Sequence, residues 1–386
     1  MENPPGASEW YNDGNFDEFG RAKQSVACRL MLQDQGPKGR LHLLDGLRGL
    51  AAILVVIYHF NSVQLPMLQG AYLAVDFFFA LSGLVLARAY EKRLRDNLSV
   101  AKFTEMRLLR MYPLYALGIL IGVTMQMLKI VVHDPQAMSW QALARSASLA
   151  AMFLPDPFLN DNLFPLNVPH WSLFFELLVN IAFAVAILRL STRWLVAIVL
   201  TALLTLAAGG MAHENINIGH NWETFAFGAV RAVGLFGLGV LCARIGHNAA
   251  RRRTPATILL AVGFVAALCW RVPEESRFLL DLLLAAVATP ALLLLGMRFE
   301  VPVRTEKFFS WLGDISFPIY ATHAPLIICW NFVATRMGLP VSLEVIIFVA
   351  LILAFGSLLV PLDSRVRKAM SQWLHLRRSA MPQAIG

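Results

Sequence analysis

Arg48 and His59 stand eleven residues apart in an apolar stretch that opens Leu44-Asp45-Gly46-Leu47-Arg48 and closes Tyr58-His59-Phe60. On a helix, at about 100° and 1.5 Å per residue, the two side chains share a face and lie about 16 Å apart along the axis. Three turns separate an anion binder from a base. The chemistry that suits such a pair is removal of a proton from a hydroxyl by neutral imidazole. The next apolar stretch holds Asp76 and reaches Arg88, and an antiparallel hairpin brings Asp76 to the depth of His59, where a carboxylate would orient the ring. The hairpin sets depth and leaves lateral contact open. An interfacial role for His59 and a capping or solvated role for Asp76 fit the same positions.

Arg107 and Arg110, in Arg107-Leu108-Leu109-Arg110, fall three apart on one helix face. Paired guanidinium forks suit phosphate oxygens, and the same pair suits headgroup anchoring. His170-Trp171-Ser172-Leu173-Phe174-Phe175-Glu176 places Trp171 at an aromatic belt and Glu176 about a turn and a half deeper. Glu176 then faces either a polar acceptor or a structural partner such as Arg231. Late in the chain, Ser316 and Tyr320 share a face across Pro318, with His323 beyond; they either line a cavity or bridge packed helices. No metal-ligand spacing, nucleotide loop or Gly-x-Ser-x-Gly elbow accompanies these groups, and Ser82 is not assigned as a nucleophile.

The elements that must position these groups are set by composition. Of 386 residues, 57% are hydrophobic and 15% charged, against roughly 45–50% apolar and about 25% charged in soluble domains. Mean hydropathy is +0.59, spread over separate runs of spanning length. The predicted fold is all-α, a polytopic transmembrane bundle of about ten spans: Leu43–Phe60, Tyr72–Ala89, Leu108–Val131, Trp171–Leu188, Trp194–Ala208, Glu223–Ala243, Ala256–Trp270, Phe278–Leu295, Ile315–Val333 and Leu343–Pro361. A shorter piece, Ala142–Leu154, reads as a re-entrant or interfacial helix. Residues 1–40 read as a loosely ordered cytoplasmic tail without a cleavable signal, 41–362 as the membrane domain, and 363–386 as a basic cytoplasmic tail.

The formal charge of +8 follows the positive-inside rule rather than a nucleic-acid interface. About 26 of the 33 Lys and Arg residues fall on one side and about five on the other, which places both termini in the cytoplasm. Cys28, Cys242, Cys269 and Cys329 are scattered and read as isolated thiols.

Taken in order, these motifs resemble acyltransferase family 3, integral-membrane acyltransferases that commonly modify surface glycans and lipopolysaccharides. The resemblance rests on the Arg48-to-His59 spacing, Asp76-Phe77-Phe78-Phe79-Ala80-Leu81-Ser82-Gly83, Arg107-x-x-Arg110, Trp171-Ser172-Leu173 with Glu176, and Ser316-x-x-x-Tyr320. It implies His59 as the catalytic histidine and Arg48, Arg107 and Arg110 as donor-binding residues. Asp76 is then the expected orienting group, and Glu176, Trp171, Ser316 and Tyr320 are expected to contact substrate. The donor implied is acyl-CoA, acetyl-CoA above all, with no tightly bound cofactor, and the acceptor a carbohydrate or lipid-linked alcohol, in a bacterial inner membrane. Leu84 stands where Phe often follows Ser-Gly, and the usual Phe-Tyr pair after Glu176 is missing; both differences bear on the acceptor. A large C-terminal hydrolase-like domain is also missing, so transfer is expected to be completed within the membrane domain. The competing reading is a proton-coupled transporter or flippase with His59, Asp76, Glu176 and Arg231 along its path.

Overall fold

Runs that cross hydrocarbon must close their backbone hydrogen bonds internally, and helices do so. The computed structural model describes residues 39–61, 68–159, 162–187, 189–246 and 251–380. Within them, helices occupy all ten expected positions: α1 (His42–Asn61), α2 (Ala74–Asp96), α3 (Val100–Val131), α5 (His170–Ala186), α6 (Thr192–His213), α7 (Phe225–Ile245), α8 (Ala256–Cys269), the pair α9 (Glu274–Leu283) and α10 (Thr289–Arg298), α11 (Val303–Met337) and α12 (Val341–Ala380). Eight stretches are long and apolar enough to cross a membrane, while α5 and α8 are shorter apolar helices. The chain is a polytopic helical bundle. Residues 1–38, Cys28 among them, and 381–386 lie outside the described residues.

Three boundaries differ from expectation for local reasons. Ser99 caps α3 by accepting from the Lys102 N–H, so the helix starts a full two turns before Leu108 and carries Arg107 and Arg110 on its own face. Helix α11 likewise begins at Val303 and contains Pro318 and Pro325 internally. Helix α12 runs unbroken past residue 362 to Ala380. The piece expected to be re-entrant is α4 (Trp140–Ala151), 12 residues capped by Ser139 and about 18 Å long, too short to span. Between α9 and α10 a π turn, Leu284–Ala288, precedes Pro290, a common place for such a bulge.

Polarity is inverted relative to a water-soluble protein. Leu204 and Leu259 on the outer surface are 71% and 73% exposed, whereas Asp76 and Arg231 inside are fully buried. Hydrocarbon tolerates the first and forces the second inward. Two parallel pairs form the centre, α1 beside α11 and α2 beside α7. The second pair closes on glycine: a Cβ on Gly239 would lie 1.8 Å from the Ala80 carbonyl oxygen, and one on Gly83 would lie 2.0 Å from that of Phe236. Only hydrogen fits at these crossings. At the α1 end, two short parallel strands, β1 (Arg252–Arg253) and β2 (Phe299–Glu300), hold Glu300 so that its carboxylate accepts the N–H groups of His42 and Leu43 at 3.4 and 3.1 Å. This carboxylate serves the first turn of α1 as a cap from a distant segment.

Candidate active site

Five helices converge on a cavity of about 120 Å³ lined by Arg48 from α1, Phe78 and Ser82 from α2, Arg107 and Arg110 from α3, Ser172 and Glu176 from α5, and Ser316 and Tyr320 from α11. The parallel packing of α1 on α11 fixes Arg48: its Nε donates to Ser316 Oγ at 2.9 Å and its Nη2 to the Gly313 carbonyl at 2.8 Å, with Asp45 at 3.3 Å. Arg107 approaches Glu176 at 3.7 Å, and Glu176 accepts from Ser82 at 2.9 Å. The Nε of Arg107 is buried and has no hydrogen-bond partner among the described residues. Three guanidinium groups and one carboxylate line the cavity, with Asp45 beside Arg48 and Asp363 near Arg110 offsetting part of the positive charge, and the unpartnered Nε of Arg107 suits an anionic ligand.

Hydroxyl groups form the cavity's far wall. Tyr320 and Ser172 meet at 2.5 Å, and the Pro169 carbonyl accepts from them at 3.2 and 3.1 Å. The Tyr320 ring packs edge to face on Phe78, centroids 5.4 Å apart, and also meets His323 of the same helix, which leads to His59. The rings of Tyr320 and His323 are 5.8 Å apart and those of His323 and His59 5.0 Å. His59 therefore stands behind the cavity wall and does not line the cavity. Its Nδ1 lies 2.8 Å from the Val55 carbonyl. A carbonyl only accepts, so Nδ1 carries the hydrogen and Nε2 keeps the lone pair of the neutral ring. No described residue bonds that Nε2. Over this end lies the connection between α6 and α7, where Asn217 donates to the Tyr58 hydroxyl at 3.2 Å. Burial, and then the Arg231 charge, hold the imidazole of His220 in the same connection below the usual histidine range.

The expected pairing of His59 with Asp76 does not form. Asp76 is claimed by Arg231 in a two-pronged ion pair, Nε to Oδ1 at 3.0 Å and Nη2 to Oδ2 at 2.7 Å, both side chains fully buried. Arg231 Nη1 donates further to the Ile218 carbonyl at 2.7 Å, and its guanidinium stacks over Trp171 at 5.4 Å. A guanidinium fork neutralises the carboxylate through one bond to each oxygen, which commits the Asp76 charge to Arg231. Trp171 packs against this buried pair and lies outside the cavity lining. Arg231 is thus unavailable to Glu176, which turns to the cavity instead. Ser82, set aside as a nucleophile, enters the site as the donor to Glu176. The contact of His59 that sequence reasoning missed is His323, which the sequence marked only by its place one turn beyond Tyr320 on the same helix.

Residues 41–361 match the family model for the acyltransferase domain of family 3. The chain belongs to acyltransferase family 3. It is an acyltransferase and, by its apolar helices, an integral membrane protein. A curated relative, Protein 2 in picA locus from Rhizobium radiobacter, is 38% identical over 161 residues, covering 39% of this acyltransferase and 84% of the relative. No solved structure matches it.

Proposed function

We propose that this acyltransferase moves an acyl group, acetyl in the first instance, from acyl-CoA to a hydroxyl of a carbohydrate, glycolipid or related acceptor, with His59 as the proton-handling residue. The observation that carries the reading is the cavity in which Arg48, Arg107 and Arg110 converge, with Arg48 three turns along α1 from His59. The arginines hold the donor's phosphates, and the basic side of the molecule faces the cytoplasm of a bacterial inner membrane, where acyl-CoA is found. The pantetheine arm extends along α1 toward His59, a path that requires the Phe78 and Tyr320 rings to part. The acceptor approaches from the α6–α7 side. Nε2 of His59 takes the hydroxyl proton as the oxygen attacks the thioester carbon; the C–S bond breaks, and the imidazolium returns the proton to the CoA sulfur. In the relay form of the same chemistry Nε2 attacks the thioester first and the C–S bond breaks to release CoA thiolate; the acceptor oxygen then takes the acyl group from Nε2 as the N–acyl bond breaks, and its proton passes to the thiolate.

Purified protein given acyl-labelled acetyl-CoA and a pooled cellular glycan and lipid extract should release CoA and label an acceptor. His59→Ala should lower this by about 10²–10⁴-fold, the span expected for losing an acid–base group. Equal labelling by wild type and His59→Ala would remove His59 from the reaction. Arg107→Ala should raise the donor KM about tenfold or more, since a charge-assisted contact contributes about 1.5–3 kcal/mol; an unchanged KM would place the phosphates elsewhere.

A further inference from the structure

A base of the kind proposed for His59 needs a partner on its other nitrogen, one that fixes the tautomer and shares the positive charge after proton transfer. Asp76 is not that partner, because Arg231 holds both its oxygens. Two acceptors do face His59 Nδ1. One is the Val55 carbonyl at 2.8 Å, on the same helix. The other is Nε2 of His323 at 3.4 Å, contributed by α11.

His323 is oriented for this contact by its own backbone. Its Nδ1 lies 2.8 Å from the Tyr320 carbonyl and 3.3 Å from the Ile319 carbonyl. Both oxygens only accept, so Nδ1 of neutral His323 carries the hydrogen and Nε2 presents a lone pair. That lone pair is the second acceptor facing His59 Nδ1–H, beyond the Val55 carbonyl. His323 is fully buried, so the ring has no solvent to turn toward.

We infer that His323 is a positioning residue of the site, sharing Nδ1–H of His59 with the Val55 carbonyl through its Nε2 and, from a second helix, helping to hold Nε2 of His59 as the reactive nitrogen. The inference deepens the acyl-transfer reading and rests on it for its catalytic meaning. At 3.4 Å the contact is long for a neutral pair, and it shortens when His59 becomes imidazolium, as catalytic hydrogen bonds do in the reacting complex. One helix then aligns the whole site. α11 orients Arg48 through Gly313 and Ser316, closes the cavity with Tyr320, and orients His59 with His323.

The test compares His323→Leu with His323→Gln in the full chain, using acetyl-CoA and the same extract. Gln sets an amide oxygen about where Nε2 stood and so keeps an acceptor; Leu keeps only the volume. His323→Leu should lower kcat on the order of 100-fold with the acetyl-CoA KM within about twofold, a smaller loss than the roughly 10⁴-fold seen when a charged orienting carboxylate is neutralised. His323→Gln should recover most of that loss. Equal loss in both variants, or a loss carried by KM and thermal stability, overturns the inference in favour of simple packing, and an unchanged kcat in His323→Leu overturns it outright. An activity-independent readout is the nitrogen NMR of histidine-labelled protein, assigned with His59→Gln and His323→Gln. His323 should carry its hydrogen on Nδ1, and its bare Nε2 should shift on loss of His59; a hydrogen on Nε2 of His323 overturns the contact. A wild type that transfers nothing overturns the acyl-transfer reading instead, because the NMR result still decides the hydrogen bond.

Discussion

Asp76 and His59 show why residue type and depth are not enough to assign a role. Both are polar groups in apolar helices, and both have partners, but Asp76 neutralises Arg231 while the hydrogen-bond partners of His59 among the described residues are a carbonyl and a second imidazole. The distinction is testable through stability. Removing one member of a buried ion pair leaves an uncompensated charge, so Asp76→Ala should cost about 3–5 kcal/mol, read as a large fall in the unfolding temperature in detergent, and replacing both partners, Asp76→Leu with Arg231→Met, should recover most of it. Wild-type stability in Asp76→Ala, with turnover alone lost, would return Asp76 to the catalytic centre. Arg48, by contrast, is held at the cavity through Ser316 and Gly313. The Arg48–His59 spacing was legible in the sequence because it depends only on helix geometry within one element. The Asp76–Arg231 match was not, because it depends on α2 and α7 being neighbours.

Helix α11 illustrates the same point for elements. Two internal prolines would ordinarily suggest a broken helix, yet it runs from Val303 to Met337. Proline at 325 removes the N–H that would pair with the carbonyl of Ala321. That freed oxygen accepts from Asn167 Nδ2 at 2.8 Å and lies 3.2 Å from His170 Nε2, so α5 and the segment before it supply what the helix lacks. A buried carbonyl with a substitute donor costs little, and one without it costs about 1–3 kcal/mol. Asn167→Ala should therefore destabilise the protein by about that amount, and by less than half as much in a Pro325→Ala background, where the helix regains its own donor. Equal losses in the two backgrounds would sink this account. Sequence periodicity located the apolar centre of α11 but not its first three turns, Val303 to Asp314, because the polar residues there are stabilised by partners such as Arg40 and His42 from the other end of the chain.

At the scale of the molecule, eight helices are long and apolar enough to cross a membrane and two apolar helices are shorter; with all ten crossing, the chain returns to the side from which it entered, and the positive-inside rule gathers the basic residues on that side. If the cavity receives a cytoplasmic donor, Arg95 at the end of α2 faces the cytoplasm and Gln136 after α3 the opposite side. With the native cysteines replaced by serine, a membrane-impermeant thiol reagent should label Gln136→Cys in intact cells and Arg95→Cys only after the membrane is opened. The reverse pattern would falsify the orientation and with it the cytoplasmic donor. What the sequence by itself determined is the class of solvent, the ten helices and the charge asymmetry, since transfer from water to hydrocarbon acts on each segment separately. What only the tertiary structure decided is which helices touch. Asp76 meets Arg231 across 155 residues of chain, and His59 meets His323 across 264. In a bundle whose lipid-facing surfaces are all apolar, lateral order is set by close packing at glycine crossings and by the pairing of a few buried polar groups, and neither leaves a periodic trace in the sequence.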